Sequence, residues 1–323
     1  MFLRSLRAAA AAATCLVALG AAPAHGLTVY TAGPGGLAKS LADAFTKETG
    51  VAVEVFQADT GKVMARLEAE SANPRADVVI SASWDSAQDL DKRGWLQPHG
   101  AANAAQVPDA YKHANYVAQG MSALGIAWNS KSGTPRPADW SDLSAPAFKD
   151  KVNLPDPAQS GTALELLLGL QSADQTKAWA LMQALRANGA AVAGANAQAL
   201  NPVLQGAKAA VFGAVDYVAL GSQAKGEAIE VIFPKSGTVI APRPMMILKS
   251  SRAADDARRF VDFVLSDAGQ ALVADTFLLP ARTDVAAKRP GIAQIPLLPT
   301  ADAPTEATRQ AVLGRFGDVF GRR

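Results

Sequence analysis

Residues 233–250 have the sequence F-P-K-S-G-T-V-I-A-P-R-P-M-M-I-L-K-S, and this stretch indicates how the chain is arranged. Short β-branched or apolar runs flank the turn Pro-Lys-Ser-Gly, and Pro242 and Pro244 bracket Arg243. Because proline cannot donate to a sheet ladder, regular pairing is expected to lapse there before an apolar strand resumes. The pattern predicts a strand that crosses from one lobe to another, with the turn at Ser236 facing the cleft. An ordinary edge strand with a proline bend explains the stretch equally well.

Residues 1–26 have the three parts of a secretory signal peptide. Arg4 and Arg7 precede an apolar run, and small residues follow it at the expected cleavage site. Cys15 lies inside the run rather than at its end, which disfavours a lipoprotein cleavage site. We therefore expect export to the periplasm and a mature chain that begins near Leu27.

Removal of this segment changes the charge and the chemistry of the chain. The segment holds two of the 31 basic residues, none of the 29 acidic residues and the only cysteine. The mature chain then has 29 bases and 29 acids, so no basic surface for nucleic acid or an anionic membrane is expected. Without cysteine, thiol chemistry and disulfides are excluded. The 297 residues that follow residue 26 of the 323 can bury a core of their own.

Strands and helices alternate through the first hundred residues of the chain. Hydrophobic periodicity predicts strands at 27–31, 51–56 and 76–81, and helices at 37–49, 62–72 and 86–94. This order predicts βαβ units with right-handed crossovers around a buried parallel sheet. Ligands of open α/β sheets bind at the carboxyl ends of the strands, where helix N-termini present free N–H groups. We therefore expect the ligand-binding residues at the junctions where a strand leads into a helix.

The first three junctions contain hydroxyl groups, glycines and one cation. Thr31 ends the first strand and Gly33 follows it. Thr60 is a candidate N-cap before Gly61, and Ser83 lies in the third junction. Lys62 falls in the first helical turn, where the helix dipole disfavours a cation by roughly 0.3–1 kcal/mol. A bound anion would remove that conflict. A solvated lysine that tolerates the cost is the simpler explanation.

Two later junctions extend the candidate site. Strands are predicted at 121–128, 151–155 and 209–212, and helices at 163–170, 174–188, 254–275 and the C-terminus. Ser160, Gly161 and Thr162 precede the first of these helices. Thr162 and Glu165 have the spacing of a capping box, so a well-capped helix also explains these residues. Asp216 and Tyr217 follow the strand at 209–212, either at the edge of a cleft or as a helix-terminal acid beside a packed tyrosine.

The motifs of common hydrolases and nucleotide-binding enzymes are missing. The sequence has no G-x-S-x-G, no H-E-x-x-H and no Walker loop, and only His99 and His113 remain after signal removal. A binding protein without catalytic activity is therefore favoured. A secreted hydrolase and an adhesion or scaffolding module remain as alternatives from other classes.

Seven segments resemble the type II periplasmic solute-binding proteins of ABC importers. The resemblance is to the branch that binds ferric iron, sugar phosphates or aminoethylphosphonate. The segments, in family order, are V-Y-T-A-G-P-G-G-L (29–37), D-T-G-K-V-M-A-R-L-E-A-E (59–70), A-D-V-V (76–79), W-S-D-L (140–143), N-L-P-D-P-A-Q-S-G-T (153–162), F-P-K-S-G-T-V-I-A-P (233–242) and F-V-D-F-V-L-S-D-A-G-Q (260–270). Together they extend over nearly all of the mature chain.

The resemblance implies an α/β, two-lobed type II periplasmic binding protein fold, with two βαβ domains joined by two crossing strands. Lobe I would comprise residues 27–121 and 242–323, and lobe II residues 122–241. The lobes would close over the ligand by hinge motion. The implied partners are a small anionic ligand and an inner-membrane ABC permease, and the implied protein is a monomer without cofactor.

One departure from the ferric-binding members bears on the ligand. Those members use two adjacent tyrosines with a histidine and a glutamate, whereas this chain has Val215-Asp216-Tyr217-Val218 and no histidine near Thr31. A small phosphorylated or phosphonylated organic anion is therefore expected, with ferric iron as the alternative. No metal ligands are assigned. The expected ligand-binding residues are Thr31, Gly33, Thr60, Gly61, Lys62, Ser83, Ser160, Gly161, Thr162, Asp216, Tyr217 and Ser236.

Overall fold

The computed structural model describes residues 26–299 and 304–321. The predicted signal peptide, apart from Gly26, lies outside the described residues. Within the described ranges, no helix combines the length and apolar character needed to cross a membrane.

The first part of the chain forms the predicted βαβ units. Its elements are β1 (Leu27–Thr31), α1 (Gly35–Thr49), β2 (Val53–Gln57), α2 (Thr60–Ala69), β3 (Val78–Ile80), α3 (Trp84–Lys92) and β4 (Leu96–Gln97). Strand β1 lies between β2 and β3 and is parallel to both. The carboxyl ends of these strands therefore meet at one edge, as the alternation of elements predicted.

The middle of the chain builds a second sheet around a long strand. Its elements are β5 (Lys112–His113), β6 (Tyr116–Asn129), β7 (Val152–Leu154), α4 (Gly161–Ala173), α5 (Gln175–Ala187), β8 (Ala191–Val192), α6 (Asn196–Leu204), β9 (Ala210–Val215), α7 (Asp216–Ala224) and β10 (Ile229–Ile232). Strand β7 is parallel to β8 and β9, and β9 is antiparallel to β6. The carboxyl ends of β7 and β9 lead into α4 and α7.

The last part of the chain returns to the first sheet. Its elements are β11 (Ile240–Leu248), α8 (Ala254–Val264), α9 (Asp267–Asp275), β12 (Leu279–Pro280) and α10 (Glu306–Phe320). The prediction of a single helix at 254–275 is wrong, because the segment forms α8 and α9 and Ser266 is the N-cap of α9. Its hydroxyl accepts a hydrogen bond of 3.2 Å from the amide of Gly269, which caps α9.

Two long strands connect the sheets. The strand order is β2-β1-β3-β11-β6-β9-β7-β8, and β6 and β11 are antiparallel neighbours at its centre. The N-terminal half of β6 pairs with β11, and its C-terminal half pairs with β9 and β10. As expected from the prolines, the β6–β11 register shifts between Pro242 and Pro244. The bulge places Arg243 at the crossing.

Each sheet has its own hydrophobic core, and the C-terminal helix joins the second one. Phe45 and Phe260 pack in the core of the first sheet. Phe316 packs instead with Trp179 and the other residues around α4 and α5. The apolar face of α10, which the sequence placed in lobe I with the rest of 242–323, is therefore buried against the helices predicted for lobe II. The lobe boundaries within the two crossing strands stay a prediction.

Candidate functional site

Arg243 is the central polar residue between the two sheets. Its side chain is buried, with 1 % of the residue exposed, on the bulge of β11. Its guanidinium donates hydrogen bonds of 3.3 Å to the carbonyl of Ala32 and 3.3 Å to the hydroxyl of Tyr217, and it lies over the Tyr217 ring. Its Nε has no partner, and among the described residues no carboxylate forms an ion pair with it. The guanidinium is therefore a buried cation held by neutral acceptors.

The loop after β1 lies beside this cation. The amide of Gly33 donates a 2.9 Å hydrogen bond to the Thr31 hydroxyl, and Ala32 supplies the carbonyl that Arg243 contacts. The buried carbonyl oxygen of the Gln119 side chain on β6 has no hydrogen-bond partner within residues 26–299 and 304–321, and it lies 3.9 Å from the position of a Cβ on Gly33. The structure thus brings Thr31 and Gly33 together with groups from both crossing strands.

Asp216 lies behind this group rather than on an open surface. It is fully buried and forms an ion pair with the fully buried side chain of Arg289. Its oxygens also accept hydrogen bonds of 2.8 Å from the amide of Ala123 and 2.7 Å from the amide of Tyr217. Burial raises the pKa of Asp216 to about 6, and the charge of Arg289 acts in the opposite direction. Because protein groups occupy both oxygens, this packing assigns Asp216 to holding Tyr217 and the crossing strand.

The N-terminus of α4 presents a cluster of hydroxyls. Ser160 is its N-cap, and the hydroxyl accepts a 3.2 Å hydrogen bond from the amide of Ala163. The same hydroxyl lies 3.0 Å from that of Thr162 and 3.1 Å from the Asn196 side-chain oxygen. The predicted capping box of Thr162 with Glu165 is wrong, because α4 begins earlier, at Gly161.

Contacts between α4 and the helices of the first sheet show that the lobes meet. The amide of Gly61 lies 3.4 Å from the carbonyl of Gln159, and a Cβ on Gly161 would lie 2.7 Å from the Cβ of Ser83. One turn further, the carboxylate of Glu165 accepts a hydrogen bond from the amide of Trp84. The structure is therefore a closed arrangement in which predicted site residues of both lobes touch.

Glu165 is an ionisable group of this contact that the sequence indicated only as a capping-box residue, not as part of a ligand site. Its pKa is raised well above the ordinary range, first by burial and then by the nearby Asp85. The amide of Trp84, the hydroxyl of Ser83 and the charge of Arg243 act in the opposite direction. A proton on Glu165 is therefore favoured when the lobes are closed.

Two predicted site residues lie apart from the Arg243 group. Lys62 is exposed, and its ammonium pairs with Asp59 at 2.8 Å. Asp59, not Thr60, is the N-cap of α2, because its carboxylate accepts a 2.9 Å hydrogen bond from the Lys62 amide. This carboxylate offsets the dipole conflict that had suggested an anion. Ser236 is also exposed, and its hydroxyl donates a 2.5 Å hydrogen bond to Asp139.

Sequence reasoning missed the most informative polar groups of the site. Arg243 could have been recognised from the sequence, because a cation between two prolines in an apolar strand needs a polar partner or a ligand. Gln119 is a single polar residue within an apolar strand, which is a weaker signal. Arg289 lies in an irregular segment and has no local signal, since its partner Asp216 is 73 residues away. Among the residues described, no cluster of three or more His, Cys, Asp or Glu side chains could hold a metal ion.

The sequence profile of one protein family, described as bacterial extracellular solute-binding protein, matches residues 73–298. The chain belongs to this family. A periplasmic protein of Salmonella typhimurium that is named for 2-aminoethylphosphonate binding is 25% identical over 251 residues, which cover 75% of this chain and 73% of the relative. These matches confirm the resemblance on which the fold was predicted.

Solved structures share the architecture of the solute-binding chain. The periplasmic binding protein AfuA of Actinobacillus pleuropneumoniae, with fructose-6-phosphate bound, superposes with a TM-score of 0.83 at 22% identity, over 92% of this chain and 98% of AfuA. Iron-bound HitA of Pseudomonas aeruginosa superposes with a TM-score of 0.74 at 21% identity, over 91% of this chain and 97% of HitA. The chain therefore has the two-lobed periplasmic binding protein fold, which confirms the predicted fold class.

Proposed function

We propose that this solute-binding protein captures a small phosphorylated or phosphonylated organic anion between its lobes and presents it to an inner-membrane ABC permease. The named specificity of the Salmonella relative and the sugar phosphate bound to AfuA support this ligand class. The predicted signal peptide supports a periplasmic location. We expect a monomer that binds its ligand without converting it.

The buried guanidinium of Arg243 carries the proposal. Removing an ion from water costs several kcal/mol even after the protein relaxes, and the neutral oxygens of Ala32 and Tyr217 compensate only part of this cost. A phosphate or phosphonate oxyanion supplies the missing charge and accepts two parallel hydrogen bonds from a guanidinium. Arg243 is therefore expected to be the main electrostatic contact of the ligand.

Helix N-termini supply further donors for the same oxyanion. The first turn of α4 offers backbone amides together with the hydroxyls of Ser160 and Thr162. Such a terminus is equivalent to roughly half a positive charge and favours phosphate groups. Amides and hydroxyls can thus hold an anion in a chain whose mature net charge is zero.

Ferric iron is the second candidate, because HitA has the same fold. The environment of Tyr217 argues against it. The Tyr217 hydroxyl accepts a hydrogen bond from Arg243, whose charge would repel a trivalent cation at that oxygen. The oxyanion is therefore the better supported ligand class.

A thermal-shift panel on the mature protein tests the proposal. The compounds are fructose-6-phosphate, 2-aminoethylphosphonate and 3-phosphoglycerate, with fructose, ethanolamine and glycerate as the counterparts that lack phosphorus. A ligand at about 100 times its dissociation constant adds roughly 2.7 kcal/mol to the folded state, which raises the melting midpoint by several degrees. At least one phosphorus compound should give this shift, and its counterpart should not.

Arg243→Gln should abolish the shift, because it removes the buried charge. Arg259→Gln is the matched control, since the Arg259 side chain is half-exposed and pairs with Asp256 on the same helix. The control should behave as the unsubstituted protein. A panel without any response, or an Arg243→Gln variant that retains full affinity, contradicts the proposal.

A further inference from the structure

A cavity of about 270 Å³ lies at the end of the first sheet that is opposite to the Arg243 group. It is lined by Ala76, which precedes β3, and by Leu248, which ends β11. Because β11 runs antiparallel to β3, both residues lie at the amino end of β3. The loops with Thr31 and Ser83 instead lie at the carboxyl ends of β1 and β3. None of the expected ligand-binding residues lines this cavity, which is therefore distinct from the cleft.

The floor of this cavity is apolar, and one wall is aromatic. Leu67 of α2 is buried there together with Ala76 and Leu248. Trp95 forms the wall, and the guanidinium of Arg93 lies 4.0 Å from the centroid of its ring, which helps to hold the indole in place. The volume is close to the lower end of the roughly 300–1,000 Å³ that small-molecule sites occupy, so a ligand of this cavity has to be small.

The polar lining of the cavity presents donors that have no acceptor in the protein. Arg75 and Lys249 both line it, and within residues 26–299 and 304–321 neither side chain has a hydrogen bond or an ion pair. The hydroxyls of Ser71 and Ser250 line it as well, and they too have no hydrogen-bond partner in those ranges. Two cations and two hydroxyls are therefore available to a ligand.

The carboxylate in the lining is already occupied. Glu70 is the only acid among the described residues that line the cavity. It accepts hydrogen bonds of 2.7 Å from the Tyr30 hydroxyl and 2.8 Å from Arg66. Arg75 interacts with Glu70 electrostatically but without an ion pair. The lining therefore has a net positive charge that an anion would balance.

We propose that this cavity is a second binding site, which takes a small organic carboxylate with a flat apolar body. The carboxylate would accept charge-assisted hydrogen bonds from Arg75 and Lys249. The flat body would lie against the Trp95 ring and bury apolar surface on the floor of the cavity. The ligand needs no phosphorus, unlike the anion proposed for the cleft.

The site does not depend on closure of the lobes or on the proposed function. Its walls come from α2, the loop before β3, the turn after α3 and the end of β11, all of which belong to the first sheet and its helices. Opening of the cleft leaves these walls in place. A ligand that binds the open and closed forms equally shifts neither population, so it should leave the anion affinity of the cleft unchanged.

Titration of the mature protein with 4-fluorobenzoate, followed by fluorine NMR, tests the site. Binding should be saturable at one site per chain, and 4-fluorobenzyl alcohol, which has the same body without the charge, should bind at least about tenfold more weakly. The double variant Arg75→Gln, Lys249→Gln should weaken binding by about tenfold or more for the same reason. Both side chains are exposed, so the variant should fold as the parent does.

Two controls and a second variant complete the test. Lys47→Gln removes an exposed lysine of α1 that does not line the cavity, and it should bind 4-fluorobenzoate as the parent does. Arg243→Gln should also keep the parent affinity, because the cleft is not involved. Ser71→Glu places a negative charge in the lining and should weaken binding.

Four results would overturn the site: no saturable binding of 4-fluorobenzoate, equal binding of the alcohol, unchanged affinity in the double variant or in Ser71→Glu, or a loss in Arg243→Gln. Such a failure leaves the anion proposal standing, because the cavity shares no lining residue with the cleft group around Arg243. Failure of the phosphorus-compound panel likewise leaves the 4-fluorobenzoate result interpretable.

Discussion

Substitution of Gly161 by alanine should weaken ligand binding through a clash between the lobes. A Cβ at this position would lie 2.7 Å from the Cβ of Ser83 and 3.2 Å from the hydroxyl oxygen of Thr60. Overpacking of this kind costs about 1–3 kcal/mol. Since a tenfold change in affinity corresponds to about 1.4 kcal/mol, binding should weaken by roughly 5- to 150-fold.

The effect should fall on closure and not on folding. The Gly161 amide is retained, and an open arrangement separates the new methyl group from Ser83. The unliganded variant should therefore unfold at nearly the same urea concentration as the parent. Isothermal titration with the phosphorus compound measures the affinity. Gly36→Ala is the matched control, because a Cβ at Gly36 has no atom within 4 Å. Unchanged affinity in Gly161→Ala, or equal losses in both variants, would refute the closed contact.

Three further predictions concern Asp216, Glu165 and the mature N-terminus. Asp216→Asn leaves Arg289 buried without its counter-charge, so urea denaturation should show a loss of about 3–5 kcal/mol, and a loss below about 1 kcal/mol would contradict the burial. Closure raises the pKa of Glu165, so the closed form takes up a proton. The affinity for the anion should therefore fall as the pH rises above the ordinary carboxyl range, and this fall should be missing in titrations of Glu165→Gln. Identical pH profiles of the two proteins would contradict this role of Glu165. Protein recovered from the periplasm of a Gram-negative host should begin near Leu27 by intact mass, whereas an intact Met1 would contradict export.

Local patterns were sufficient to predict most of the elements of the fold. The alternation of apolar strands and amphipathic helices gave the βαβ units, and the two prolines around Arg243 correctly indicated a lapse in pairing. The break between α8 and α9 was missed because apolar periodicity continues through it. The signal was Ser266, a residue type that favours an N-cap.

The candidate site was harder to predict because its contacts are long-range. Hydroxyls and glycines at helix starts were recognisable, and the structure brings Thr31 and Gly33 to Arg243 and Ser83 to Gly161. A pattern over ten residues cannot show which cation becomes buried. Lys62 was a candidate because of its place in the first turn of a helix, and the alternative of a solvated lysine agrees with the structure, in which 70 % of its side chain is accessible.

The packing of the C-terminal helix α10 also depends on long-range contacts that a local pattern cannot show. Apolar residues at helical spacing predicted this helix, and its residues Val312, Phe316 and Phe320 are buried. The spacing does not say which lobe offers the complementary surface. The helices predicted for lobe II provide it, so α10 lines a cavity of about 290 Å³ together with α2, α3 and α4. No single segment of the sequence indicated this cavity.

A crystal structure of the mature protein with its phosphorus-containing ligand tests the central claim most directly. The account predicts an oxyanion within hydrogen-bonding distance of the Arg243 guanidinium, between the loop of Thr31 and Gly33 and the first turn of α4. A ligand bound outside the cleft would contradict it. So would a ferric ion coordinated by Tyr217, with Arg243 displaced from the hydroxyl it now contacts.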